Sequence, residues 1–349
     1  MRNDDVVNLP VEERERELRM KTGPLNTEAV VTALPQSKRG KSARRKIRRH
    51  DWAGWIFVGP FMAVFALVLI APLIYAIYLS LFRETLIAGT SFVWFDNYAK
   101  ALTDEKFWDA LGRVTGFLLI QVPLMLIIAL FAALALDSAR LRWVPLFRLS
   151  IFLPYAVPGV VAVMIWGYMY GSQFGLIADL NRWLGVTLPE PLSNSFIMLS
   201  IGNIVTWEFV GYNMLVFYAG LKAIPTELYE AAEIDGAGAF RTIFSIKLPG
   251  IRGALIIATL FSIIGSFQLF NEPQMLRSLV PNLISSYFTP NIYAFNLSFS
   301  GSMFNYAAAI AILSGIITMI IAFFAQNPDG AFKWLRTKSK RVVELEETA

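Results

Sequence analysis

The sequence predicts an all-α polytopic membrane protein with six spanning helices. Three observations predict it. Of 349 residues, 56% are apolar and 16% charged, against about 25% charged in a soluble domain. Six runs are apolar over a length that crosses a hydrocarbon layer, which takes about 20 helical residues because each backbone amide must be satisfied within its own segment. Lys and Arg crowd the alternate flanks of those runs, the pattern that sets membrane topology.

Residues 1–50 form a polar tail, in which Val11 to Lys21 has the composition of a short charged helix. The basic cluster from Lys38 to Arg49 fixes orientation and touches anionic headgroups, at about 1 kcal/mol per basic residue near the surface. The first span runs charge-free from Trp52 to Phe82. It is too long for the core of a signal peptide, and no small-residue cleavage site follows it. The second runs from Val114 to Leu136, with Gln121 and Pro123 as packing and kink features. The third runs from Leu149 to Ala178, kinked around Pro154 and Pro158. The fourth covers about Phe196 to Leu221, interrupted once by Glu208. The fifth is charge-free from Gly253 to Asn271, and the sixth covers Tyr306 to Phe324. Ser278 to Asn305 carries no charge, yet Pro281, Pro290 and many Ser and Asn residues make it a poor span. It reads as an outer loop with an interfacial helix, with a re-entrant hairpin as the rival. The organisation is thus a tail over 1–50, a membrane domain over 51–326 and a second tail over 327–349.

One set of flanks holds the Lys38–Arg49 cluster, Arg140, Arg142, Arg148, Lys222, Arg241, Lys247, Arg252 and the Lys333–Arg341 group. The other set has only Arg83, Lys100, Lys106, Arg113, Arg182 and Arg277. The richer side is assigned to the cytoplasm, with both termini on it, and the loops at 83–113, 172–195 and 272–305 then face outward. The same placement explains the net charge of +5 without nucleic acid, since no module combining stacking residues with a basic patch is visible. With no Cys and His50 as the single His, thiolate chemistry, disulfides and multi-His metal sites are excluded within this chain. A membrane enzyme would be left with Asp, Glu or Ser, and no paired motif is present. The spans show neither an inverted repeat nor a regular chain of Asp, Glu or His that would relay protons, as an ion-coupled carrier requires.

The polar stretch Ile224 to Pro249, IPTELYEAAEIDGAGAFRTIFSIKLP, lies between two spans. Thr226 suits a helix cap and Glu227 the positive helix end. Helix is expected over Glu227–Ile234, a break at Asp235-Gly236, and a second helix from Ala237 to Ile246 that ends before Leu248-Pro249. Ala231 and Ala232 let another surface approach the helix closely, and Glu230 and Glu233 offer it charge. From these residues alone, a handle for a soluble partner and an ordinary solvated hairpin are equally good readings.

The stretch EAAEIDGAGAFRTIFSIKLP resembles the EAA loop of the membrane subunits of binding-protein-dependent ABC importers, through Glu230, Ala231, Ala232, Asp235, Gly236, Ala237, Phe240, Ile246, Leu248 and Pro249. LPYAVPG (Leu153 to Gly159) and FDNYAKALTDEKFWDALGRVTGF (Phe95 to Phe117) are similar to segments of the carbohydrate branch, and LKAIPTELYEAA to maltose-type permeases. The similarity covers about Trp52 to Phe324 and leaves the N-terminal tail outside. The chain departs from the branch where FNEPQMLRSLVPN stands in place of a Thr-x-Gly-Gly-Pro stretch, and it lacks the extra N-terminal spans and large outer insertion of the maltose permease. The resemblance implies a type I ABC importer permease fold in the cytoplasmic membrane of a bacterial-type cell. It implies a second homologous permease, two ATP-binding subunits, an external solute-binding protein and lipid as partners. Glu230, Ala231, Ala232, Asp235, Gly236 and Ala237 then couple the chain to an ATP-binding subunit. ATP and Mg belong to those subunits, and this chain, which has no phosphate-binding loop, binds neither. The solute implied is a sugar or oligosaccharide, with glycerol phosphate or a polyol as the alternative.

A sugar site needs aromatic platforms and hydrogen-bonding groups around a wet cavity. The fourth span offers Thr206, Trp207, Glu208, Tyr212 and Asn213, and the fifth Ser262, Ser266, Gln268 and Asn271. Alignment on the resemblance adds Val205, Phe209, Gly265 and Leu269. The substrate path is therefore expected at Glu208, Phe209, Tyr212, Ser262, Ser266 and Gln268. A carboxyl within a span costs about 2.5 to 3.5 kcal/mol, so Glu208 should face a cavity or a partner ion. Ser262 and Ser266 also fit helix packing, and Trp207 and Tyr212 also fit interfacial or packing roles.

Overall fold

A computed structural model of the chain describes residues 51–85, 89–138 and 141–326. The expected tails at 1–50 and 327–349, and Arg140, lie outside the described residues. The chain divides into two units, 1–66 and 67–349. The described part of the first is the helix Asp51–Phe65 (α1), whose apolar side chains, such as Phe57 and Phe61, are exposed. The second begins with Ala71–Ser80 (α2) and a two-stranded antiparallel hairpin, Phe82–Thr85 (β1) with Gly89–Phe92 (β2), in which Phe82 pairs with Phe92 and Thr85 with Gly89. This small sheet is an addition to the all-α reading. Helices Asp96–Leu102 (α3) and Glu105–Asp137 (α4) follow.

The third span is bent, not straight. Val144–Phe152 (α5) passes through a short 3-10 turn to Ala156, the chain turns by 98°, and Gly159–Met169 (α6) continues it. Two prolines cause the break. Pro158 has no amide to donate, and it pushes Val157 into extended backbone with ψ 129°. The helix also ends at Met169, well before Ala178, and Leu176–Leu184 (α7) is a separate short helix. Ile197–Lys222 (α8) is one uninterrupted helix where the fourth span is expected. Thr226–Ile234 (α9) and Ala239–Gly250 (α10) form the polar loop, and a 66° bend separates α10 from Arg252–Phe267 (α11). Asn271–Leu279 (α12), Pro290–Phe299 (α13) and Phe304–Gln326 (α14) complete the chain. Among the described residues four helices are long and apolar enough to cross a membrane, and up to six if each bent pair is one span.

The packing of α4 against α8 organises the second unit. Ala129 and Ala133 on α4 meet Met214 and Phe217 on α8, all four at 0% exposure. Small residues on α8 set its close approaches, to α4 and to other elements. Gly202 lies against Phe117 and Gln121, Gly211 against the backbone of Ile151 and Phe152, and Gly220 against Ile251 and Ala254. The segment 278–305 supplies the expected helix, but Ile284, Phe288 and Ile292 are buried in the core with Ile201 and Leu276. Its docking is polar at one point, where Thr289 caps α13 through the amide of Ile292 and donates to the Leu269 carbonyl at 2.9 Å.

Helix α4, about 50 Å long at 1.5 Å per residue, separates two polar clusters at its ends. At its start the Asp104 side chain accepts from its own helix at Lys106 N, 3.0 Å, and from the hydroxyls of Tyr293 at 2.6 Å and Tyr306 at 2.7 Å. Nearby, Asn97 donates to the carbonyls of Ser80, at the end of α2, and Phe82, at the start of β1, and Asn305 donates to that of Leu79. Burial raises the proton affinity of Asp104, but the two tyrosine hydroxyls and the amides of Lys106 and Phe107 outweigh it, and its carboxyl sits below the ordinary value of 3.8. A depressed carboxylate stabilises the fold above its ordinary pKa, and that stabilisation is lost as pH falls through the folded value. Asp104→Ala is therefore expected to destabilise the chain by about 1 kcal/mol at pH 7, discounted for partial exposure. Melting curves in detergent should show the gap to wild type closing below about pH 4.

Candidate functional site

Where the bend of the third span meets α4, α8, α11 and α12, the chain encloses a cavity of about 390 Å³. Helix α4 contributes Phe117, Gln121 and Met125, and the bend contributes Tyr155. Helix α8 contributes Val205, Phe209, Tyr212 and Asn213, spaced so that they share one face. Ser262, Gly265 and Ser266 come from α11, and Gln268, Asn271 and Glu272 from the turn into α12. Tyr155 stacks on Tyr212 with ring centres 5.2 Å apart and planes 22° apart, and it meets Phe209 edge-on at 5.8 Å. The lining thus joins an aromatic cluster of Tyr155, Phe209 and Tyr212 to amide, hydroxyl and carboxylate groups from α4, α8, α11 and α12, set among further apolar side chains such as Phe117, Phe261 and Leu269. Among the described residues, no Lys or Arg lines the cavity.

Several of these polar groups are only partly used by the protein. Gln121 donates to Thr206 Oγ1 at 3.2 Å, and its buried Oε1 has no partner among the described residues. Asn213 donates to the Phe209 carbonyl at 3.1 Å. Ser266 donates back to the Ser262 carbonyl at 2.9 Å, which is the packing behaviour of a helical serine, while both residues still line the cavity.

Five of the six residues expected on the substrate path, Phe209, Tyr212, Ser262, Ser266 and Gln268, are brought together on the wall. Glu208 is not among the lining residues. It is 4% exposed, its Oε2 has no partner among the described residues, and its Oε1 lies against Gly159, where an added Cβ would come within 3.4 Å. Gly159 opens α6, so the carboxylate stands at the amide-rich, electropositive end of a half-helix created by the bend. Trp207 also turns away from the cavity, edge-on to Trp166 at 5.9 Å. The carboxylate on the wall is Glu272 instead. The signal for it is the FNEPQ stretch, where this sequence departs from the pattern it otherwise resembles.

At the far end of α4 lies the polar loop. Helix α9 is closed by backbone geometry. Gly236 takes φ +70°, its amide donates to Glu233 O at 3.0 Å, and the amide of Ala237 donates to Ala232 O at 2.8 Å. That pair of bonds is the Schellman closure, with Asp235 as the last half-helical residue. Glu230, Ala231 and Asp235 are exposed, and Ala232 and Ala237 partly so. Thr226 is not the cap. Pro225, in extended backbone, precedes the helix and Thr226 is its first residue, with no side-chain capping bond. The second helix does not stop before Leu248-Pro249 either. A π turn over Ile243–Lys247 lets the Leu248 amide reach Ile243 O, and the helix continues through Pro249 to Gly250. The loop displays Ile234 at 87%, Phe240 at 80% and Phe244 at 65% exposure.

Helices broken beside a cavity that mixes aromatic and polar groups, with irregular backbone where it lines that cavity, are the architecture of a membrane transport component. The chain belongs to the family of binding-protein-dependent transport system inner membrane components, whose model matches residues 125–328. It is 31% identical over 297 residues to the lactose transport system permease protein LacF of Rhizobium radiobacter, covering 81% of this chain and 96% of that one. It is 30% identical over 305 residues to the diacetylchitobiose uptake system permease protein NgcF of Streptomyces coelicolor, covering 82% and 85%. Among solved structures, a chain of a bacterial ABC transporter that imports the acidic polysaccharide alginate shares the fold, with a TM-score of 0.68 at 17% identity over 80% of this chain and 95% of that one. The resemblance carried by the EAA stretch is therefore borne out at the level of the family.

Proposed function

We propose that this chain is the membrane-spanning permease subunit of an ATP-driven importer, forming half of the path for a sugar or oligosaccharide that an external binding protein delivers. The single observation that carries this reading is the loop 224–249, a rigid helix–glycine–helix that exposes Ile234, Phe240 and Phe244 beside Glu230. Apolar side chains displayed on a polar loop mark a protein contact. In this reading an ATP-binding subunit grips the loop at the cytoplasmic face. ATP and Mg stay on that subunit and on its twin, and a second, homologous permease closes the cavity from the other side. The machinery sits in the inner membrane of a bacterial-type cell with both termini inside. The sugar reading is supported by the names of the relatives and by the aromatic wall of Tyr155, Phe209 and Tyr212, against which the apolar face of a sugar ring stacks. Glu272 and the lack of a basic residue on the wall favour a neutral solute over a phosphorylated one.

The test is reconstitution in proteoliposomes. Solute should enter only when both ATP-binding subunits, the second permease and the binding protein are present, and uptake by this chain alone under an ion gradient would overturn the reading. The solute itself is found by thermal-shift screening of the binding protein against neutral sugars. With that sugar, Tyr212→Ala is expected to slow uptake about tenfold, ~1.4 kcal/mol, at unchanged binding to the external protein. Uptake at the wild-type rate would remove Tyr212 from the path.

A further inference from the structure

We infer that Asp137 is a positioning residue that ties both ends of the coupling loop to the helices lining the cavity. This rests on the coupling reading proposed above. Asp137 is the last residue of α4, and its side chain is 9% exposed. Its two oxygens serve two different lysines. Oδ1 accepts from Lys222 Nζ at 2.8 Å, and Oδ2 from Lys247 Nζ at 2.6 Å. Lys222 ends α8, just before the loop begins, and Lys247 sits in the π turn of α10, just before the loop ends. One carboxylate therefore holds the entry and the exit of the loop, and holds both to α4.

The surroundings are those of a built joint. The side chain of Lys247 is 15% exposed, and its ammonium lies 5.6 Å from the centre of the Tyr229 ring on α9. Lys222 lies 5.4 Å from the Tyr218 ring. A half-buried ion pair adds little net stability against apolar side chains of the same size, because desolvation offsets the attraction, but it does fix geometry. Contact between α4 and α8 does not need it, since Ala129, Ala133, Met214 and Phe217 already bury that interface. What it adds is a rigid link from α10 to α4. Helix α4 carries Phe117, Gln121 and Met125 of the cavity wall, and α8 carries Phe209 and Tyr212. A displacement of the loop then moves two cavity walls together and is not absorbed in the turn at 223–225 or at the bend before α11. The basic flanks that set topology in the sequence thus have a second use at Lys222 and Lys247.

The absence of Cys from the sequence makes spin labelling direct. In the complete transporter in lipid nanodiscs, one label pair at Thr226→Cys and Ala135→Cys spans the joint. A second at Thr226→Cys and Thr103→Cys reports the loop against the far end. In wild type, Mg-ATP should shift the second distance while the first stays narrow. Asp137→Asn should broaden the first distribution to at least twice the wild-type width and shrink the ATP-driven shift of the second, while Asp137→Glu keeps both as in wild type. Lys247→Met removes the loop arm but leaves Asp137 paired with Lys222. It should broaden the first distance in the same way, and it decides the matter if Asp137→Asn does not assemble. Near-pair widths that Asp137→Asn and Lys247→Met leave unchanged would overturn the inference, whatever the far pair does. A wild-type far pair indifferent to ATP would instead overturn the coupling reading, with the near-pair widths still deciding the joint.

Discussion

Gly211→Val is expected to leave little folded permease in the membrane. At this position α8 presses its backbone onto the end of α5. An added Cβ would run into the carbonyl oxygen of Ile151 and lie 2.7 Å from Phe152 Cα. Both are backbone atoms, so no side-chain rotation relieves the clash. Overpacking a core with one or two methyl groups costs about 1–3 kcal/mol when side chains can yield, and here they cannot. Gly211→Ala should already cost at least about 3 kcal/mol, and valine more, a large part of a typical stability of 5–15 kcal/mol. The consequence extends beyond stability. Holding α8 away from Ile151 also moves Tyr155 from Tyr212, and so opens the aromatic wall. Fluorescence-detected size exclusion and melting in detergent are the measurements, and a Gly211→Val protein that melts with wild type would refute the packing assigned to this contact.

Gly236→Val should give the opposite pattern, a stable protein that does not transport. Among the described residues nothing lies within 4 Å of a Cβ built at Gly236, so space is not the issue. Its φ of +70° is, since left-handed backbone costs an ordinary residue about 1–2 kcal/mol and a β-branched one is the least tolerant. The cheapest escape is to unwind the turn, which breaks the bonds from Gly236 to Glu233 and from Ala237 to Ala232 and re-aims α10. Melting should change little, because the loop is exposed. Uptake in the reconstituted transporter should fall by tenfold or more, while the ATP-binding subunits still bind nucleotide. Normal uptake by Gly236→Val would sink the view that a rigid loop transmits force. Taken together, the two glycines separate folding from coupling in one chain.

Much of this was legible in the sequence, for identifiable reasons. The helix–glycine–helix reading of 224–249 placed the break correctly at Asp235-Gly236, because left-handed closure is a property of a few adjacent residues. It misplaced the cap at Thr226 and the end of the second helix, where Pro225 and a π turn take over. Five cavity residues were legible as hydrogen-bonding or aromatic side chains within the fourth and fifth expected spans, Phe209 through the alignment that the resemblance allows. Glu208 was expected on the path from the cost of a carboxyl within a span and from the same alignment, while the bend of the third span placed the start of α6 against it. Prolines 154 and 158 announced a kink, but not one of 98°.

The sequence by itself determined the membrane class, the family and the helix–glycine–helix form of the loop 224–249. These depend on how apolar a run is and on which residue tolerates a given φ, and both are local. Only the tertiary structure decided that Glu208 stands at a half-helix start, that Glu272 faces the cavity, and that Asp137 meets Lys247 from 110 residues away. Those outcomes depend on where helices cross and bend, which is fixed by the close approach of small residues such as Gly211 to a neighbour's backbone. No pattern within one segment encodes which distant segment fills that space.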